Sequence, residues 1–427
     1  MQGITRVTLA VLTVLLLGIS PLNAQYHGTL TSGNVLDQDR LARVDSVLQH
    51  YVDEGRMVGA VGLVMQDGKV VYENAVGWSD KEAGRKTKTD DIFRIASQTK
   101  AITSAAILTL VEEGKINLED PVSRWMPTFD KTTVAVRTDS GRVIEQANRA
   151  ITIQDLLTHT SGISYGGNPF IAPLYNEKDL GYDESYGWYF ADNKEPICEA
   201  MDRLGTLPFV AQPGSDWVYG YSTDILGCVV ERVSSLPLDE FFRERVTGPL
   251  GMDDTSFYLP PEKKDRLVTV YTPAKEGGLD RAEDGPRGQG DYVEGPRTSF
   301  SGGAGLLSTA QDYARFLEMI RNGGALDGVR ILSPHTVAVM TSNQAGNLFS
   351  ENGMGFGLGF ETTERLGANG FSSVGTFGWS GAYGTDYEVD PKENLVIVLM
   401  VQIVPYYGSG IRESFENAVY QALVPQG

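Results

Sequence analysis

The sequence predicts an α/β fold of the α+β kind: an antiparallel sheet built from both chain ends, flanked by helices, plus a mostly helical lobe. Three observations carry this. Near the N-terminal end, residues 61–66 and 69–75 are strand-like runs joined by Asp67-Gly68, a dipeptide suited to a type I′ hairpin turn. Near the other end, residues 383–389 and 395–402 flank Asp390-Pro391-Lys392-Glu393-Asn394 as a second antiparallel pair. Between the two pairs the patterns are mostly helical, so a cleft is expected where sheet and helices meet.

The elements follow in order. Arg6 gives a positive start, and residues 7–19 are apolar apart from Thr8, Thr13 and Gly18. Pro21 stops any helix, and Leu22-Asn23-Ala24 offers a small-residue cleavage site before Gln25. Residues 1–24 are therefore expected to be a signal peptide, cut after Ala24, and the mature chain 25–427 to be periplasmic or secreted. The apolar stretch is too short to span a membrane, no later run is long enough, and no Cys follows the cut to carry a lipid. Leu41, Val44, Leu48 and Tyr51 recur at helical spacing within residues 36–54. A second helix carries Ile102, Ala105, Ala106, Leu108, Leu110 and Val111 as far as Gly114. Residues 261–297, rich in charge, Gly and Pro, read as a long surface excursion, and a last helix covers about residues 412–423. The sheet lobe then takes about 25–95 and 300–427, and the helical lobe about 96–299.

Composition removes several functions. A formal net charge of −19 argues against a nucleic-acid partner, because phosphate binding needs clustered Lys and Arg. It argues equally against an anionic membrane surface. The four histidines, His27, His50, His159 and His335, have no ligand spacing, and Cys198 and Cys228 are far apart, so no metal site is expected. Export permits those two cysteines to pair, but the sequence leaves this open and reads them as structural. Gly302-Gly303-Ala304-Gly305 lacks the lysine and βαβ setting of a phosphate-cradling loop. Catalysis without a cofactor is the expectation, on a small-molecule ester or amide; the oligomeric state is not legible.

The chemistry begins at Ser97-Gln98-Thr99-Lys100, the one S-x-x-K in the chain, at the opening of the second helix. Residues three apart on a helix are neighbours, so Ser97 Oγ can lie within reach of the Lys100 amine. A neutral amine can take the serine proton, and the positive helix start favours the alkoxide that forms.

The segment Phe93-Arg94-Ile95-Ala96-Ser97-Gln98-Thr99-Lys100 closely resembles the nucleophile segment of the serine β-lactamase and penicillin-binding protein superfamily. It is most similar to the AmpC-type branch, and there to the β-lactamase-like carboxylesterases known as family VIII esterases. Leu156-Leu157-Thr158-His159-Thr160-Ser161-Gly162, Pro249-Leu250-Gly251-Met252 and Gly302-Gly303-Ala304-Gly305-Leu306-Leu307-Ser308-Thr309 fit in the same order, across essentially the whole mature chain. The resemblance implies a β-lactamase/transpeptidase-like fold, with Ser97 as nucleophile and Lys100 as its base. It also implies a second proton-transfer group at Tyr219, two residues after Trp217 and five before Asp224. Tyr221 stands where the family usually has Asn, a departure expected among the esterase-like members. The third motif, normally Lys or His, a small residue and Gly, is here Trp379-Ser380-Gly381, expected just ahead of a strand. By resemblance the N–H groups of Ser97 and Ala382 form the oxyanion hole. Trp379 cannot pair with a β-lactam carboxylate but can wall an apolar pocket, which turns the reading towards an esterase.

Gly162-Ile163-Ser164-Tyr165-Gly166 matches the G-x-S-x-G pattern of another hydrolase class, but that motif needs a strand before the serine and a helix after it. A helical pattern precedes Ser164, so it is set aside. His159 is expected to be structural, bonded near a helix end. The aromatics Tyr182, Tyr186, Trp188, Tyr189 and Phe190 could rim the cleft or simply pack. The expectation is an exported serine hydrolase cleaving carboxylic esters. A β-lactamase or D-amino-acid-specific peptidase is the alternative, and a non-catalytic binder of cell-wall peptide or β-lactam is the reading of another class.

Overall fold

The computed structural model describes residues 33–139, 141–181, 191–285, 288–406 and 409–426. The expected signal peptide, its cleavage site, His27 and the aromatics from Tyr182 to Phe190 lie outside the described residues. Strands β1 (Gly59–Gln66), β2 (Lys69–Asp80) and β3 (Arg85–Lys86) come from the N-terminal part. Strands β4 (Met354–Phe356), β5 (Glu361–Thr363), β6 (Phe377–Ser380), β7 (Asp386–Asp390) and β8 (Leu395–Val401) come from the C-terminal part. They make one antiparallel sheet in the order β4-β5-β6-β7-β8-β1-β2-β3. The two chain ends meet where β8 pairs with β1, with Val398 opposite Leu63. Asp67 and Gly68, at φ 52° and 75°, make the turn that the Asp-Gly dipeptide predicts.

Five helices matter for the site: α1 (Arg43–Asp53), α2 (Thr99–Glu112), α3 (Ser222–Ser234), α4 (Ala310–Arg321) and α5 (Ile411–Tyr420). Strand β8 is apolar at every position because helices cover both faces of the sheet. Leu395, Ile397, Leu399 and Val401 pack with residues of α1 and α5, such as Leu48 and Phe415. Val396, Val398 and Met400 join the larger core that holds Phe316 and Ile320 of α4. The α5 side is tight: a Cβ on Gly62 would lie 2.7 Å from the Phe415 ring, so only glycine lets the helix sit there. Helix α2 is buried from Thr99 to Leu110 and packs on α3. A disulfide between Cys198 and Cys228 ties the helix Ile197–Leu204 to α3, settling the pairing that the sequence left open.

Three boundaries differ from the sequence reading. Trp379 and Ser380 lie inside β6, while Tyr383 and Thr385 belong to the turn before β7. Gly384, at φ 94°, permits that turn. The last helix stops at Tyr420, and Leu423–Pro425 pairs with Asn34–Leu36, so the ends of the described chain close on each other. The stretch 261–297 is more than a surface excursion. Its composition hid six core residues, Val268, Val270, Tyr271, Ala282, Tyr292 and Val293, and it supplies the Val268 and Gln289 carbonyls that take the buried Arg94 guanidinium at 2.7 and 2.8 Å. Among the described residues no helix is long and apolar enough to cross a membrane.

Candidate active site

The Ser97 segment is anchored on every side except at one hydroxyl. A two-residue strand, Phe93–Arg94, pairs with Leu307–Ser308 and leads into a 3-10 turn, Ala96–Gln98, that runs on into α2. From Asp91 to Leu110 every residue is buried except Ser97, which is partly exposed. The turn depends on Ala96 at φ 43°, a left-handed conformation that costs a non-glycine residue about 1–3 kcal/mol. It is held by Tyr313, whose hydroxyl donates to the Gln98 carbonyl at 2.8 Å, and by Thr99, whose hydroxyl accepts the Leu306 N–H at 3.1 Å.

One turn on, Lys100 is only 2% exposed, so its charge must be met inside the protein. Its Nζ donates to Ser97 Oγ at 3.3 Å, the Tyr165 hydroxyl at 3.0 Å and the Gly303 carbonyl at 2.8 Å. It also faces the Tyr219 ring, 4.6 Å from the centroid. Gly303 is fixed in turn by Asp224 at the start of α3. The Asp224 Oδ1 accepts the Gly303 N–H at 3.1 Å and the Ser301 hydroxyl at 2.5 Å. Burial pushes the Asp224 carboxyl up, and the Lys100 charge opposes the rise.

Sequence reasoning missed the roles of Tyr165, Gly303 and Asp224. Each was visible inside a motif set aside or used for another purpose: Tyr165 in G-x-S-x-G, Gly303 in the glycine run, Asp224 as a spacing mark for Tyr219.

Tyr219 stands in the loop before α3. Its phenolic oxygen accepts the Trp379 indole N–H at 3.2 Å, so strand β6 and the loop before α3 meet at this bond. Its ring stacks on Trp217, with centroids 5.7 Å apart, and lies 4.9 Å from the His159 imidazole. His159 follows the helix Ile153–Leu157 at φ 57°, and its carbonyl accepts the Val218 N–H at 2.8 Å. Burial and the Lys100 charge hold its imidazole well below the usual histidine range, hence neutral, and Nδ1 has no hydrogen-bond partner among the described residues. It therefore acts on the loop through its backbone and ring. Trp217, Phe349, Phe356 and Trp379 continue the aromatic wall, with Trp217 edge-on to Phe349 at 4.8 Å and Phe356 edge-on to Trp379 at 5.5 Å.

The β-lactamase family profile matches residues 44–419. The chain belongs to the β-lactamase family. This is a family of serine hydrolases, and the chain's fold is the β-lactamase/transpeptidase-like one. The chain is 37% identical to Protein Rv1367c of Mycobacterium tuberculosis, over 84% of this chain and 89% of that one. It is 33% identical to Esterase EstB of Burkholderia gladioli, over 89% of this chain and 95% of that one. Among solved structures, EstCE1, a hydrolase with promiscuous acyltransferase activity, superposes with a TM-score of 0.76 at 28% identity, covering 90% of this chain and 99% of its own.

Set against the family's usual motifs, the other sequence candidates fall into place. Tyr221, in the Asn position, is 1% exposed and packs edge-on to Tyr165 at 4.8 Å, behind the tyrosine that touches Lys100. Ser380 ends β6 opposite Asp386, and Gly381 follows it into the turn. A Cβ on Gly381 would lie 2.5 Å from the Ile95 carbonyl, so glycine is needed where the turn runs against the Ser97 segment. Ala382, next in line, is exposed. Ser164 lies in a loop after the helix Ile153–Leu157, its Oγ accepting the Gly166 N–H at 3.1 Å, without the strand–turn–helix setting of a nucleophile elbow.

Proposed function

We propose that the chain is an exported carboxylesterase that forms an acyl-enzyme on Ser97, with Lys100 and Tyr219 as its proton-transfer groups. The observation that carries this is the convergence on Lys100 Nζ of Ser97 Oγ at 3.3 Å, the Gly303 carbonyl at 2.8 Å and the face of Tyr219 at 4.6 Å. Once neutral, the same nitrogen takes the serine proton while Gly303 and Tyr165 keep it in place. Ser97 Oγ attacks the ester carbonyl, and the resulting oxyanion lies against the N–H groups of Ser97 and Ala382. Each such donor is worth about 2.7–4 kcal/mol in the transition state. Collapse breaks the ester C–O bond, and the leaving alcohol takes a proton from the Lys100–Tyr219 pair. Water then adds to the acyl-enzyme, losing its proton to the same pair, and releases the acid and free Ser97.

Trp379 supports an ester over a β-lactam. It stands where family members that bind a carboxylate carry a cation, and its one polar group is engaged by Tyr219. The names of Esterase EstB and EstCE1 support the same choice, and the latter's acyltransferase activity favours an alcohol as a second acceptor of the acyl group. Export rests on the signal-like start of the chain and suits the Cys198–Cys228 disulfide, which persists in oxidising compartments.

Turnover of short-chain nitrophenyl esters beside a chromogenic cephalosporin, with the parent and Ser97→Ala, tests the reading. Ester cleavage that vanishes in the variant, with little cephalosporin turnover, is expected. Preferred cephalosporin turnover would make the chain a β-lactamase, and full activity in Ser97→Ala would remove the nucleophile.

A further inference from the structure

The turn that carries Ala382 is fastened from behind by a cation on α5. Arg412, in the first turn of that helix, donates from Nη2 to the Gly381 carbonyl at 2.9 Å and from Nε to the Gly384 carbonyl at 3.4 Å. Asp386, the first residue of β7, lies 3.7 Å from Arg412 Nε, and the guanidinium covers the Tyr406 ring at 4.2 Å, so three sides of the group are engaged. The turn has its own bonds as well: Gly381 N–H to the Thr385 carbonyl at 2.8 Å and Gly384 N–H to the Gly381 carbonyl at 3.0 Å. These fix the turn's closure, but the Gly381 carbonyl is the point where the cation enters.

We propose that Arg412 is a positioning residue for the reaction, aiming the Ala382 N–H at the oxyanion by holding the Gly381 carbonyl. The reason is covalent. The Gly381 C=O and the Ala382 N–H belong to one planar peptide unit and point to opposite sides of it. A cation that fixes the carbonyl direction therefore fixes the N–H direction on the opposite side of the peptide. Charge adds to geometry, because a guanidinium on the carbonyl oxygen polarises the amide and strengthens the opposite N–H as a donor. Arg412 touches neither substrate nor serine in this scheme; it acts through one peptide bond. The arginine fork suits the task, since two nitrogens of one rigid plane meet two carbonyls of one turn.

This inference rests on the Ser97 acyl-enzyme reading, so its test includes Ser97→Ala. Steady-state cleavage of nitrophenyl acetate is measured for the parent, Arg412→Met and Arg412→Lys, with circular dichroism and thermal midpoints to check folding. Inhibition by phenylboronic acid is measured alongside, because its serine adduct is tetrahedral and anionic. Arg412→Met is expected to lower kcat about 10–100-fold, less than deletion of an oxyanion donor, with KM within about threefold. Phenylboronic acid binding should weaken in step with kcat/KM. Arg412→Lys, which can reach one carbonyl but not fork to two, should fall between the parent and Arg412→Met. A folded Arg412→Met with kcat within twofold of the parent, while Ser97→Ala is inactive, overturns the role of Arg412 and leaves the nucleophile standing. Activity in Ser97→Ala overturns the reading beneath it. If Arg412→Met does not fold, Arg412→Lys decides: a lower kcat at constant KM supports the role, and an unchanged kcat or a loss confined to KM overturns it.

Discussion

Trp379 on strand β6 and Tyr219 in the loop before α3 are joined by one hydrogen bond, indole N–H to phenolic oxygen, at 3.2 Å. The tryptophan is thus more than a wall. With Trp379 donating, the phenolic oxygen is the acceptor in this contact, and the Tyr219 proton is free to point elsewhere.

Trp379→Phe keeps an aromatic ring in the wall, though a smaller one, and removes this donor. It is expected to lower kcat on a short nitrophenyl ester about tenfold, the value of one hydrogen bond to a group that gains charge, with KM little changed. An effect on KM alone would return Trp379 to a purely apolar role.

Gly303→Ala tests the seat of Lys100. A Cβ there would lie 2.5 Å from Asp224 Oδ2, so the Asp224 carboxylate or the Gly303 segment must shift, and either change disturbs the seat of the carbonyl that Lys100 Nζ uses. The expected loss in kcat is about 100-fold, with the thermal midpoint changing far less than the rate, since a displacement of about 1 Å in a catalytic group has that effect. Activity within a few fold of the parent would show that the Gly303 carbonyl is dispensable.

A group of carboxyls between strands β5 and β7 and helix α5 sets a pH dependence of stability. Burial pushes Glu388 up to about 8, against the Tyr420 hydrogen bond and with help from its acidic neighbours, and burial pushes Glu416 up to about 8 as well. Glu361 is pushed up to about 7, and Asp386 is raised as well. For a carboxyl raised in the folded state, the native protein keeps a proton that the unfolded chain releases. Stability is therefore highest below the ordinary value of 4.5, falls as pH rises towards about 8 and then levels off. Each unit of difference corresponds to about 1.4 kcal/mol. Thermal midpoints taken from pH 5 to 9 should decline through this window. Glu388→Gln should flatten the decline and gain stability at pH 8.5; a profile unchanged by the substitution would contradict the assignment.

The disulfide closes a loop between residues 30 apart in sequence. Replacing both Cys198 and Cys228 by Ala is expected to reduce unfolding free energy by about 3–4 kcal/mol, the chain-entropy value for a loop of this length. Ester turnover at 25 °C should stay within a few fold of the parent, because the bridge joins α3 to Ile197–Leu204 and not to the Ser97 segment. Equal stability of the two proteins in urea would sink this prediction.

Local signals determined much of this protein. The Asp67-Gly68 turn, the apolar run of β8 and the 3.6-residue periodicity of α1 and α5 each need only neighbours in sequence to be read, because hairpin geometry and helical faces repeat over a few residues. The Ser97–Lys100 pair is legible for the same reason: residues three apart on a helix must meet. What tertiary structure alone decided is how separate segments converge. Lys100 takes its second and third partners from positions 65 and 203 residues away in sequence. Trp379 reaches Tyr219 across 160 residues, and Arg412 reaches the Gly381 carbonyl across 31. No periodicity encodes such distances, because they are set by how helices pack on the sheet and by which polar groups burial leaves needing a partner.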